Sequence, residues 1–93
     1  MAILMMMEWP GVTPAQYEEV KRITNFENEW PDGGKAHVAA FEDGVLKVVD
    51  IWDSAEQFQA FAESKLMEAA QQAGATSQPD VKILPAHNVF IPR

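Results

Sequence analysis

The sequence predicts an α+β fold of the ferredoxin-like βαββαβ type, and three observations predict it. Two apolar stripes recur at helical spacing, each behind a capping residue. Four other apolar runs are short and bounded by turn residues, as strands are. Two of those runs are joined by Asp43-Gly44, the dipeptide that favours a two-residue hairpin turn.

Taken in chain order, residues 3–8 are apolar on both faces, which suits a central strand. Met5, Met6 and Met7 within it read as adaptable packing, because neighbours on a strand alternate faces and cannot converge on one ion. In "GVTPAQYEEV", Thr13 is placed as N-cap, Pro14 at the first helical position and Gln16 three residues after the cap. Tyr17, Val20 and Ile23 then share one face, while Glu18, Glu19, Lys21 and Arg22 turn to water.

Residues 36–42 and 45–53 form the hairpin around Asp43-Gly44. "WDSAEQFQAF" opens the second helix with Ser54 as cap and Gln57 at the reciprocal position. Phe58, Phe61, Ala62, Leu66, Ala69, Ala70 and Ala73 make its apolar stripe, and Gly74 stops it. Residues 81–91 read as the last strand, where Pro85 demands an edge position or a bulge. "NEWPDGGK" and "GATSQPD" are the loops. With no repeat and no linker, residues 1–93 read as a single domain.

Right-handed connections arrange this order as a four-stranded antiparallel sheet with both helices on one face. Apolar residues lie on both sides of the strands, so the uncovered face would be a large greasy patch. A homodimer that pairs two such faces is the expected solution.

Composition narrows the function. Fourteen acids against seven bases give a net charge of −7, which repels phosphate backbones and anionic membranes and argues against nucleic-acid binding. There is no cysteine, hence no disulfide and no thiolate nucleophile or ligand. No histidine spacing suggests a metal. The apolar start "MAILMMMEW" is too short to cross a bilayer and lacks a basic lead, so a soluble, cytoplasmic protein is expected.

The segment "VVDIWDSAEQFQAFAESKLMEAA" resembles the matching part of the dimeric α/β-barrel superfamily, and is most similar to small proteins of the antibiotic-biosynthesis-monooxygenase type. The likeness lies in a strand ending in an aromatic residue, an acidic-Ser pair and a helix with regularly spaced aromatics. The βαββαβ order extends it over nearly the whole chain. It implies the fold and the dimer; the superfamily includes cofactor-free oxygenases, haem-degrading oxygenases, polyketide cyclases, isomerases and non-catalytic binding domains, so function does not transfer with it. Its haem-degrading members carry a tryptophan where Phe61 stands and a ligating histidine where Gln71 stands, and both departures count against haem. No cofactor is therefore expected.

Hairpin register gives the sharpest inference. With Asp43-Gly44 as the turn, Glu42 faces Val45, Val38 faces Val49 and His37 faces Asp50, on the more apolar side with Ala39, Phe41, Leu46, Val48 and Trp52. An aspartate there needs a partner. A carboxylate beside an imidazole fixes its tautomer and can create a general base, as abstraction of a proton from a phenol or β-dicarbonyl compound requires. The competing reading is a structural pair that pins strand register.

His87 is the candidate second acid/base and Asn88 a candidate ligand donor; as strand neighbours they would point to opposite faces. The bland alternative is that both satisfy backbone groups beside Pro85. Trp52, Tyr17 and Phe61 are the aromatic candidates for a pocket wall, and Trp9 and Trp30 are expected at a pocket mouth or subunit contact.

The functional expectation is a cofactor-independent oxygenase or cyclase/isomerase for an aromatic or polyketide-like molecule, with His37, Asp50 and His87 as catalytic candidates. The alternative is a non-catalytic binding or accessory protein of the same fold, its pocket filled by Phe41, Phe58 and Phe61. A metal-dependent variant would need His37, Asp50 and His87 to converge, although topology puts the two histidines at opposite edges of the sheet.

Overall fold

The computed structural model of the chain describes residues 1–92. β1 (Ile3–Pro10) is followed by α1 (Pro14–Thr24), β2 (Gly34–Glu42) and β3 (Val45–Trp52). A second helix then runs as α2 (Ala55–Phe61), a π turn (Ala62–Leu66) and α3 (Met67–Gln72), before β4 (Asp80–Pro85). The strands form one sheet of order β2-β3-β1-β4 with every pairing antiparallel. This is the ferredoxin-like layout.

Local chemistry sets the elements as the sequence predicts. Thr13 and Gln16 form a reciprocal capping box: Thr13 Oγ1 accepts from the Gln16 N–H at 3.1 Å and Gln16 Oε1 accepts from the Thr13 N–H at 3.0 Å. Ser54 caps α2 by accepting from the Gln57 N–H at 3.2 Å, but its hydroxyl donates to Gln57 Oε1, so the return bond to the cap backbone is not made. Asp43 and Gly44 both have positive φ, 51° and 76°, the pair a type I′ hairpin turn needs. That turn fixes the register Glu42↔Val45 through His37↔Asp50; an irregularity between Gly34 and Ala36 adds one residue beyond it.

The core lies between the sheet and the helices. Met5, Met7 and Trp9 of β1, Leu46, Val48 and Trp52 of β3, and Phe58 and Ala70 of the second helix make one buried cluster. Trp9 is thus a core residue, not a loop cover, because it falls in step with Met5 and Met7 on the helix side of β1.

Two further expectations are corrected. The second helix is not α-helical throughout: it carries the π turn, which the apolar stripe alone does not disclose. The last strand ends at Pro85 rather than continuing to residue 91. Its partner β1 begins at Ile3, opposite Pro85, and only the Ala86 N–H reaching Ala2 O extends the pairing. Past that point no strand among the described residues lies alongside, and Val89, Phe90 and Ile91 stay exposed although their composition reads as strand.

Candidate functional site

His37 and Asp50 meet on the helix-covered face, as the register requires. Asp50 sits on inner strand β3 with Met5 on one side and His37 on the other. It is 8 % exposed, and both its oxygens are engaged. His37 Nδ1 lies 2.6 Å from Asp50 Oδ1, and the Trp52 indole N–H donates to Asp50 Oδ2 at 3.1 Å. The other imidazole nitrogen, Nε2, is 2.7 Å from the Tyr17 hydroxyl of α1. Four side chains from three elements thus form one chain of hydrogen bonds, Tyr17–His37–Asp50–Trp52.

Proton positions follow from the donor inventory. A carboxylate only accepts, so Nδ1 of His37 carries the proton shared with Asp50. In the neutral ring Nε2 is then an acceptor, and Tyr17 donates to it. Burial raises the Tyr17 pKa above the ordinary phenol value of 10.0; Lys21 offsets part of that, and Glu18, Glu27 and Asp50 add to it. The resting hydroxyl is therefore a phenol at neutral pH.

Tyr17, His37, Asp50 and Trp52 all line a cavity of ≈ 70 Å³ between the sheet and the helices. The rest of the wall is mainly apolar and includes Met5, Val20, Phe58 and Leu66, with no lysine or arginine. Phe58 and Phe61 pack around the Trp52 ring at 5.6 and 5.8 Å between centroids and leave the space open. Phe41 lies outside the wall, 40 % exposed and edge-on to Tyr17.

The π turn has a local consequence here. Phe58, Phe61, Leu66 and Ala70 all reach the wall, and the five-residue step from Phe61 to Leu66 is one that an α-helix would rotate away. At the rim, Phe26 stands edge-on to His37 at 5.0 Å, and half-exposed Trp30 stands edge-on to Phe26. The Trp30 N–H donates to Gly34 O at 2.6 Å; a Cβ on Gly34 would lie 2.9 Å from that indole, so the bare backbone allows its seat.

His37, Asp50, Trp52, Tyr17 and Phe61 therefore come together, whereas His87 and Asn88 do not join them. Both lie in the exposed segment after β4, at the sheet edge opposite β2, and neither reaches the cavity wall. The cause is the early end of β4, which also removes the alternation expected to send them to opposite faces. Among the described residues no three acidic or histidine side chains gather as a metal site would need, so the three-residue metal set is not assembled. The sequence missed the link between Tyr17 and His37. Tyr17 was recognisable as inward-facing, but its height over β2 depends on how the helix lies on the sheet.

No protein-family model and no curated protein matches the chain. Solved structures match its fold. A variant of SnoaB, a cofactor-independent oxygenase from Streptomyces nogalater, is 19% identical, with 96% of each chain covered and a TM-score of 0.68. A monooxygenase from the gene ActVA-Orf6 of Streptomyces coelicolor, solved with the ligand nanaomycin D, is 16% identical over 98% of this chain and 92% of its own, with a TM-score of 0.64. A protein of unknown function from Nitrosomonas europaea is 16% identical over 99% and 95%, with a TM-score of 0.69. Identities this low speak for fold and not for activity. In fold, this chain is similar to proteins described as oxygenases or as putative antibiotic biosynthesis monooxygenases.

Proposed function

We propose that the protein is a small cofactor-independent enzyme, an oxygenase or a cyclase/isomerase, acting on an aromatic or polyketide-like molecule with the His37–Asp50 pair as general base. The observation that carries this reading is the 2.6 Å bond between His37 Nδ1 and Asp50 Oδ1 at the wall of an apolar cavity. Asp50 orients the ring and stabilises the imidazolium that forms when Nε2 takes a proton. The substrate is left as a phenolate or enolate, an electron-rich anion that can react with dioxygen or rearrange. The descriptions of SnoaB and of ActVA-Orf6 support the oxygenase branch.

The test is dioxygen uptake and product formation by the purified protein across a panel of phenolic and quinol polyketides, with no cofactor added. Turnover that falls about 100-fold or more in His37→Ala is the expected result. Binding without turnover across the panel would instead favour an accessory, ligand-binding role. For the quaternary state, the exposed apolar residues Met6, Val38, Val49 and Leu84 on the open face of the sheet support a homodimer that covers them.

A further inference from the structure

Both nitrogens of His37 already have partners, Asp50 at Nδ1 and Tyr17 at Nε2. A ligand therefore cannot reach the free base directly unless the Tyr17 bond breaks. Most other polar groups of the wall are also committed. Asp50 holds His37 and Trp52, and the Trp9 and Trp30 N–H groups donate to Ser77 O and Gly34 O. The Gln16 carbonyl is in the cap of α1, which leaves its amide N–H₂. The Tyr17 oxygen donates to His37 and keeps its lone pairs, and Tyr17 is part of the cavity wall.

Deepening the function proposed above, on which this rests, we infer that the Tyr17 hydroxyl is the catalytic group that meets the substrate, and that the substrate presents a neutral, ionisable hydroxyl (a phenol or enol) on the edge of a flat ring that enters the cavity. The proton moves in two coupled transfers. The substrate O–H breaks as its proton joins the Tyr17 oxygen, and the former Tyr17 proton passes to His37 Nε2. The products are a substrate oxyanion, a neutral Tyr17 and an imidazolium held by Asp50, so charge and protons balance. Tyr17 remains a phenol before and after, consistent with burial favouring its neutral form. His37 and Asp50 act through it as positioning residues and proton store.

Size and charge set the ligand class. A cavity of ≈ 70 Å³ is about half the ~150 Å³ of an engineered cavity that takes benzene, so it seats one edge of such a ring. Any larger part of the molecule would lie at the mouth, beside Trp30. With no cation in the wall and Asp50 beneath it, a carboxylate or phosphate finds no counter-charge.

The experiment compares binding of 4-nitrophenol with that of nitrobenzene, which lacks only the hydroxyl, at a pH where free 4-nitrophenol is protonated. Calorimetry gives affinity, and the colour of bound nitrophenolate reports proton transfer. The wild-type protein is expected to prefer 4-nitrophenol about ten-fold and to show the phenolate colour. Tyr17→Phe should bring the two affinities within about two-fold. His37→Gln should keep the preference and lose the colour, which separates contact from proton storage even if Tyr17→Phe fails to fold. Equal binding of both probes, a preference that survives Tyr17→Phe, or its loss in His37→Gln would overturn the Tyr17 assignment while the pocket stands. Binding of neither probe would overturn the pocket reading itself, and the Tyr17 assignment with it.

Discussion

The two faces of the sheet are built from alternate residues of the same strands, yet they solve different problems. On the helix-covered face Met5, Leu46, Val48 and Trp52 are 1–6 % exposed, and the one acid among them, Asp50, has both oxygens bonded. On the open face Val38 is 63 % exposed, with Met6 and Val49 beside it. That face also carries charges: Lys47 pairs with Glu42 and Glu8 near its hairpin end, and Lys82 stands opposite Met6. A buried face can hold a polar group only when it is fully paired, and pairing fixes its geometry for chemistry. An exposed apolar face carries no such order; it asks for a cover.

Substitutions sharpen that contrast. Trp52→Ala removes a buried indole and the donor to Asp50 Oδ2, and should cost about 3–5 kcal/mol in urea unfolding. Val49→Ala, a few residues away on the open face, should cost less than about 1 kcal/mol in the isolated chain. Asp50→Asn keeps the shape and removes the charged acceptor that His37 and Trp52 share, an expected loss of about 2 kcal/mol with the cavity retained. Val38→Glu should change the stability of a single chain by no more than about 0.5 kcal/mol, yet shift sedimentation from dimer to monomer. A monomeric wild-type protein would remove the proposed cover.

The weakest effect is one of pH. The folded state raises the Tyr17 pKa, so Tyr17 contributes no loss of stability below the ordinary phenol value of 10.0. As pH rises through that value the unfolded chain ionises first, and stability declines until the folded phenol also ionises. Tyr17→Phe should abolish this part of the decline in a series of urea midpoints. Because the chain has a single tyrosine, absorbance titration reads the same group directly, with an expected midpoint above 10.0.

Much of the site was legible because it rests on short-range rules. Asp43-Gly44 dictates the turn, the turn dictates the register, and the register puts His37 across from Asp50 on the face that Trp52 shares. Thr13 and Ser54 mark the helix starts in the same local way. What was not legible depends on partners distant in sequence. The contact of Tyr17 with His37 follows from the seat of α1 over the sheet. The end of β4 follows from where β1 begins, which no composition around His87 and Asn88 reveals. The π turn lies between Phe61 and the next wall residue, Leu66, and nothing in "AESKL" announces it.

The most direct test of the relay is the protonation state of the His37 ring by nitrogen NMR on protein with ¹⁵N-labelled histidine, with His87→Ala used to assign the two imidazoles. Neutral His37 should carry its proton on Nδ1 towards Asp50, with Nε2 bare and accepting from Tyr17, and Tyr17→Phe should shift the Nε2 resonance. A proton on Nε2, or a ring averaging between both tautomers as a solvated histidine does, would contradict the relay.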